Sequence, residues 1–201
     1  IYYFTKQSRN FLGSNGIDSV QSIQQDGVTV QLVNKNLLSK NYQVVIVDTD
    51  KAKVDKINLK KPPVEEYLMG TYLKDNKLKL SACQSFHAHL ASTNLIILAL
   101  PTNYDETSNY FDTSILESVL SELNKYVFTR TIVIKSTVPI GFTEKAKKMF
   151  ENLEIIFVPE FLREGKALED NVNPSRIVIG EEKSKSEKIA NVFQSIAKND
   201  P

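Results

Sequence analysis

The chain has 201 residues, with 25 Lys and Arg against 24 Asp and Glu, so its net charge of +1 creates no strong field to attract nucleic acid or an acidic membrane surface. The longest apolar runs, such as Leu95–Leu100, are too short to cross a bilayer, and a single cysteine excludes an internal disulfide. We therefore expect a cytoplasmic globular protein that binds neither nucleic acid nor a membrane.

Residues 1–40 differ in composition from the rest of the chain. They are rich in Gln, Asn and Ser and contain no clean strand pattern, and Gln24 and Gln25 lie where an apolar first strand would be expected. We predict that residues 1–25 form an atypical or poorly ordered N-terminal segment and that the folded domain covers residues 26–201.

A regular alternation of strands and helices begins at about residue 43. Short apolar, β-branched runs predict strands at Val44–Val47, Lys79–Ser81, Leu95–Leu100, Thr131–Lys135, Ile155–Val158 and Ile177–Ile179. Most of these runs are apolar throughout, which is typical of strands covered on both faces of a parallel sheet. Helical spacing predicts helices at Ser114–Val127, opened by a capping box of Ser114 and Glu117, and at Lys183–Ala197. The pattern predicts a doubly wound α/β fold with a Rossmann-like, mainly parallel sheet and an atypical first βα unit.

An acidic residue, Asp48, ends the strand Val44–Val47. In a dinucleotide-binding βαβ unit, an acid at this place accepts hydrogen bonds from the adenosine ribose hydroxyls. Lys53 follows one helical turn later and could reach the same ribose or its phosphate. The alternative role for Asp48 is to cap the helix that begins near Lys51.

Three further polar segments follow predicted strands. Thr102 and Thr137 lie in loops that could hold a cofactor or an ordered water, although each loop could also be an ordinary turn. Glu160 and Glu164 follow the strand Ile155–Val158 and would share one face of a helical turn. Two carboxylates on one face repel unless a cation, a substrate hydroxyl or a shared proton lies between them, so we expect a binding site here rather than a solvated turn.

The histidines and the cysteine do not predict a metal site. His87 and His89 are two residues apart and would not share a helix face. Cys83 is expected in a helix before the next strand, as a half-buried small apolar residue. No other Cys or acid stands at ligand spacing, so we expect no metal.

The segments LPTNYDETSNYFDTS, IVIKSTVPIGFTEKAK and FVPEFLREGKALEDNVNPSRIVIG resemble the bacterial UDP-glucose 6-dehydrogenase family. The likeness runs from about Leu32 to the end of the chain. It implies a domain that binds NAD, within an enzyme that oxidises the C6 alcohol of UDP-glucose to a carboxylate with two NAD⁺ in succession. The full-length enzyme is expected to be a homodimer.

The resemblance also implies roles for individual residues. Asp48 and Lys53 would hold the adenosine ribose, and the NAD site would be lined by Val30, Thr102, Thr137 and Glu164. The substrate would contact the segment Glu160, Phe161, Leu162, Arg163 and Glu164. Acid–base chemistry and the positioning of water would fall to Thr137, Glu160 and Glu164, because removal of a hydride from C6 requires the hydroxyl proton to leave as well.

The chain departs from the family pattern at both ends. The family's G-x-G-Y-V-G turn should fall at residues 26–31, where its three glycines are replaced by Asp26, Val28 and Gln31. Because those glycines let the backbone approach the pyrophosphate, we expect weakened dinucleotide binding. The family's central helix and C-terminal UDP-binding domain, with the catalytic cysteine, are absent, so the isolated chain is expected to be inactive.

Two other interpretations stay open from the sequence. The chain could be a non-catalytic remnant that binds no dinucleotide, because its first βα turn is disrupted. It could also derive from a sibling enzyme that oxidises UDP-N-acetylmannosamine or GDP-mannose.

Overall fold

A computed structural model describes residues 2–4, 42–63, 69–74, 79–107, 109–126, 131–162 and 167–197. Six strands form one parallel sheet in the order β3-β2-β1-β4-β7-β8, and two form a small antiparallel hairpin, β5-β6. The strands are β1 Tyr2–Phe4, β2 Val44–Val47, β3 Leu80–Cys83, β4 Leu95–Leu98, β5 Tyr104–Asp105, β6 Tyr110–Phe111, β7 Thr131–Ile134 and β8 Glu154–Phe157. The order is that of a doubly wound dinucleotide-binding fold, so the predicted fold class is confirmed.

Helices cover both faces of the large sheet. The α-helices are α1 Lys51–Asn58, α2 Met69–Leu73, α3 Ser114–Asn124, α4 Phe142–Met149, α5 Ala167–Val172 and α6 Lys183–Ile196, and a 3₁₀ helix spans His87–Ser92. No helix in these described ranges is long and apolar enough to cross a membrane.

The first strand lies where the sequence predicted none. Tyr2–Phe4 pairs in parallel with β2 on one side and with β4 on the other, so it occupies the centre of the sheet. The expectation of no strand among residues 1–40 is therefore wrong for these three residues. The boundary predicted at residue 25 falls outside the described residues.

Alternate residues of the central strands enter two separate cores. Val44 and Ile46 of β2 pack on one face with α1, α2 and α6. Val45 and Val47 pack on the other face with the 3₁₀ helix, α3 and α4. Since both sets of side chains are apolar, the strand reads as a continuous apolar run, as the sequence indicated.

Two predicted elements differ from the structure. The apolar run Ile177–Ile179 forms no strand, and the contact nearby is an isolated antiparallel bridge between Phe157 and Gly180. Cys83 ends β3 instead of lying in a helix, although its predicted half-burial is confirmed.

The N-cap of helix α3 lies one residue before the predicted cap residue, Ser114. Thr113 is the N-cap residue, and the Asp112 carboxylate accepts a 2.9 Å hydrogen bond from the Ser114 N–H. Hydrogen bonds from the Ser114 hydroxyl and from the Ser114 N–H hold the pKa of the Asp112 carboxyl below its usual value. Glu117 takes part through its carboxylate, which accepts from the Thr113 hydroxyl at 3.0 Å. The start of the helix is thus formed by Asp112 and Thr113, and Ser114 is not its cap.

Candidate functional site

The carboxyl ends of the parallel strands bring the predicted site residues to one edge of the sheet. Asp48 follows β2, Thr102 follows β4, Thr137 follows β7 and Glu160 follows β8. With neighbouring strands about 4.8 Å apart, the ends of β2 and β8, four positions apart in the sheet, are separated by about 19 Å. The edge therefore suits an elongated ligand that runs across several strands.

Asp48 is a buried carboxylate at the start of this row, with 1% of its surface exposed. Its Oδ1 accepts a 2.8 Å hydrogen bond from the Asp50 N–H. Its Oδ2 is buried and has no hydrogen-bond partner among the described residues. Burial raises the pKa of Asp48 to about 6, against the opposing effects of the Asp50 hydrogen bond and the Lys53 charge. An unused buried acceptor of this kind fits a ligand that brings its own hydroxyl donor.

The alternative role predicted for Asp48, capping α1, is wrong. Asp50 is the N-cap of that helix, and its carboxylate accepts a 2.8 Å hydrogen bond from the Ala52 N–H. Lys53 lies 3.9 Å from the Asp50 carboxylate and contributes its charge to the same cluster. Asp48 therefore does not cap α1; its Oδ1 binds the N–H of the cap residue Asp50, and its Oδ2 is left without a partner among the described residues.

Thr102 provides the second buried polar atom without a partner. It is 3% exposed, and its Oγ1 has no hydrogen-bond partner in the part of the chain that the structure describes. Thr137 lies at the end of the adjacent strand and is exposed. The two threonines thus stand on neighbouring loops at the middle of the edge, one buried and one open to solvent.

The segment after β8 is described only in part. Glu160 is partly buried, and Phe161 is 49% exposed with the Arg176 guanidinium 4.4 Å from the centre of its ring. Leu162 is partly buried. The predicted partners Arg163 and Glu164 lie outside the described residues, so the shared face of the two glutamates stays a prediction.

A buried lysine beside this segment was not predicted from the sequence. Lys135 follows β7, is 8% exposed, and holds its ammonium 5.3 Å from the ring centre of Phe193. Burial lowers the pKa of Lys135, and the nearby carboxylate of Glu160 opposes part of that shift. The side chain helps to line a cavity of about 330 Å³, which is bounded by Lys135, Val158, Pro159, Phe161, Leu162, Asp170, Asn171, Asn173, Pro174, Ser175, Arg176, Ile177, Val178 and Phe193.

Replacement of this lysine is expected to stabilise the fold. The native state disfavours the charged amine, so folding becomes less favourable as the pH falls below the ordinary lysine value. We expect Lys135→Met to raise the free energy of unfolding at pH 7 by about 1 kcal/mol or more, measured by urea denaturation. Lys135→Arg, which keeps the charge, is the control and should give no gain. Equal or lower stability of the Met variant at pH 7 would contradict this expectation.

The predicted phosphate-binding turn lies outside the described residues, as does Val30. Because β1 is formed by Tyr2–Phe4, the turn could also follow that strand, but residues 5–12 contain no glycine. The sequence therefore lacks a G-x-G pattern at both places.

His87 and Cys83 both contact Ser85, in a local network at the end of β3. His87 Nδ1 lies 2.8 Å from the Ser85 hydroxyl, and His87 Nε2 lies 3.3 Å from the Glu122 carboxylate. The Cys83 thiol donates to the Ser85 carbonyl at 3.1 Å, and burial raises the pKa of that thiol. Among the described residues, no three His, Cys, Asp or Glu side chains are grouped so as to hold a metal ion.

Residues 29–197 match the NAD binding domain of the UDP-glucose/GDP-mannose dehydrogenase family. The chain belongs to this family. The chain corresponds to the N-terminal, NAD-binding portion of the family. The resemblance stated from the sequence is confirmed.

Individual relatives agree with this assignment. UDP-glucose 6-dehydrogenase of Campylobacter jejuni is 39% identical over 82% of this chain and 42% of its own length. The enzyme of the same name from Streptococcus pneumoniae is 41% identical over 79% of this chain and 40% of its own length. The structure of a UDP-glucose dehydrogenase from Pyrobaculum islandicum aligns with a TM-score of 0.67 at 26% identity, covering 80% of this chain and 40% of that one. The chain thus spans about two fifths of the length of these relatives.

Proposed function

We propose that the chain holds NAD along the carboxyl edge of its sheet, as the dinucleotide-binding portion of a UDP-glucose 6-dehydrogenase. The observation that carries this proposal is that two of the three buried side-chain oxygens without partners among the described residues, Asp48 Oδ2 and Thr102 Oγ1, lie on either side of the central strand β1, whereas the third, Asn124 Oδ1, is at the end of α3. Buried polar atoms are normally hydrogen-bonded, so two such atoms at a ligand-binding edge indicate groups that a ligand satisfies.

The adenosine half would lie over β2. The Asp48 carboxylate would accept hydrogen bonds from the ribose hydroxyls, and the Lys53 ammonium would stabilise the charge of that carboxylate or of a neighbouring phosphate. The Asp50 N–H fixes the orientation of the carboxylate by binding its other oxygen. Thr102 and Thr137 would line the path of the ligand toward β7, together with Val30 and Glu164.

The oxidation itself would take place near the end of β8. When bound, NAD⁺ supplies the acceptor for the hydride that leaves the sugar C6. Glu160, with Thr137 and Glu164, would receive the hydroxyl proton or hold a water that does so, and residues 160–164 would contact the sugar. Glu160 lies close enough to the buried Lys135 amine to oppose part of the lowering of the Lys135 pKa, so the two side chains would share this part of the site.

The complete reaction needs groups that this chain does not place at the edge. A covalent intermediate would require a thiolate near the end of β8. Cys83 ends β3, at the opposite side of the sheet, and burial raises the pKa of its thiol, which keeps it protonated. We therefore propose that this domain acts with a central helix and a UDP-binding domain of the kind found in the family. We further propose that the full-length protein is a cytoplasmic homodimer that uses UDP-glucose and has no nucleic-acid or membrane partner.

Isothermal titration of the chain with NAD⁺ tests the proposed binding. We expect measurable binding that is at least about tenfold weaker than that of the Streptococcus pneumoniae relative, because the glycines of the phosphate-binding turn are replaced at residues 26, 28 and 31. Binding as tight as that of the relative would contradict the effect assigned to those replacements. The absence of binding at millimolar NAD⁺ would contradict the proposal.

A second candidate function is that of a folded remnant without dinucleotide binding. The absence of a G-x-G pattern both at residues 26–31 and after β1 favours it. The same titration separates the two candidates, since only the first predicts heat that saturates with NAD⁺.

A further inference from the structure

One buried serine joins the two threonine loops of the proposed NAD site. Ser136 is 1% exposed, and its hydroxyl makes two hydrogen bonds to the backbone of Leu100. The oxygen accepts from the Leu100 N–H at 2.7 Å and the hydroxyl donates to the Leu100 carbonyl at 2.8 Å. A single side-chain oxygen thus bonds both backbone polar groups of one residue in the segment that follows β4.

These bonds lie where the backbone pairing of β4 and β7 stops. The ladder ends at the pair Leu98 and Ile134, followed by one backbone bond from the Lys135 N–H to the Leu98 carbonyl at 2.7 Å. The Ser136 side chain extends the hydrogen bonding between these two segments to Leu100. It therefore links the two segments that follow β4 and β7 at the edge of the sheet.

The hydrogen bonds between Ser136 and Leu100 lie close in the sequence to two proposed ligand contacts, Thr102 and Thr137. Ser136 directly precedes Thr137, and Leu100 is two residues before Thr102, with Pro101 between them. Proline fixes one of the backbone angles on this short path, so little freedom remains between the link and the Thr102 hydroxyl. The unpartnered Thr102 Oγ1 is consequently held at a set place relative to Thr137.

We infer that Ser136 is a positioning residue, one that fixes the spacing of Thr102 and Thr137 for the half of NAD beyond the adenosine. This inference rests on the proposed function. Asp48, the contact proposed for the adenosine half, lies beyond β1 from the Thr102 loop and is oriented by Asp50, so its geometry does not depend on Ser136. Loss of the hydroxyl should then weaken the binding of NAD⁺ while leaving the binding of ADP unchanged.

The experiment compares NAD⁺ and ADP as ligands of the full 201-residue chain, by titration followed with backbone amide NMR. The variants are Ser136→Ala, which removes the hydroxyl, and Ser136→Thr, which keeps it. Ser195→Ala is the matched control, because the Ser195 hydroxyl also bonds a backbone carbonyl, that of Val192 at 2.8 Å, but within α6. Should Ser136→Ala fail to fold, Ser136→Cys takes its place, since a thiol has nearly the same size and only weak hydrogen bonds.

We expect Ser136→Ala to weaken NAD⁺ binding about tenfold, to leave the affinity for ADP unchanged, and to reduce the NAD⁺-induced shift of the Thr102 amide signal. Ser136→Thr should restore part of the NAD⁺ affinity, and Ser195→Ala should change neither ligand's binding. Unchanged NAD⁺ affinity in Ser136→Ala, or an equal loss for both ligands, would overturn the positioning role while the proposed function stands. If the unmodified chain binds neither ligand, the proposed function fails and the inference fails with it.

Discussion

The affinity of the chain for NAD⁺ is expected to fall about tenfold between pH 8 and pH 5. Asp48, with its pKa raised to about 6 by burial, is almost fully ionised at pH 8 and only about one tenth ionised at pH 5. The ribose hydroxyls would donate to the ionised carboxylate, so protonation removes the favoured acceptor. Titrations at pH 5, 6, 7 and 8 with adenosine as the ligand isolate the ribose contact, because adenosine carries no phosphate that titrates in this range.

Asp48→Asn is the control for this pH dependence. The variant should bind at least about tenfold more weakly than the unmodified chain at pH 8, and its affinity should hardly change between pH 5 and pH 7. A pH profile that is the same in both proteins would show that another group titrates, and the assignment of Asp48 as the ribose acceptor would fail.

The same variant should be more stable than the unmodified chain at pH 8. The raised pKa means that the folded state favours the protonated acid, so this favourable contribution is present at low pH and is lost as the pH rises through about 6. A shift from 3.8 to about 6 corresponds to about 3 kcal/mol, and the buried amide of Asn, which lacks an acceptor for its N–H groups, offsets part of this. A gain of about 1–2 kcal/mol in the variant, alongside weaker binding, would show that Asp48 is retained for a ligand and not for the fold.

Continuous apolar strands were the part of the fold that the sequence predicted well. β2 lies at its predicted residues because Val44–Val47 is apolar on both sides and is followed at once by the acid. The three-residue strand β1 was missed, since a run as short as Tyr2–Phe4 carries too few residues for a periodic pattern. Ile177–Ile179 shows the reverse error, because an apolar run was mistaken for a strand although its side chains pack without a ladder.

The sequence predicted a site residue only where that residue directly follows a recognisable apolar strand. Asp48 and Thr102 are found by their places after apolar runs, and burial adds that each keeps an unpartnered oxygen. Ser136 and Lys135 could not be assigned in this way. The role of Ser136 depends on Leu100, and that of Lys135 depends on Glu160. Both partners are distant in the sequence and become neighbours only when the strands pair.

Tyr3→Pro is expected to destabilise the domain by on the order of 3 kcal/mol, because the chain then loses a backbone donor in the middle of its sheet. Tyr3 pairs with Ile46 on one side and Ile97 on the other, so the defect would disturb two ladders. For a domain of this size the melting temperature should fall by roughly 6–12 °C.

Tyr3→Phe keeps the N–H and a ring of similar size, and its melting temperature should stay within about 2 °C of that of the unmodified chain. If Tyr3→Pro melts at the same temperature as Tyr3→Phe, the central strand is not formed by Tyr2–Phe4. The family's first strand would then have to be supplied by residues between 5 and 41. A large difference between the two variants would instead establish that the chain completes its sheet with its first residues and reaches the proposed NAD site from there.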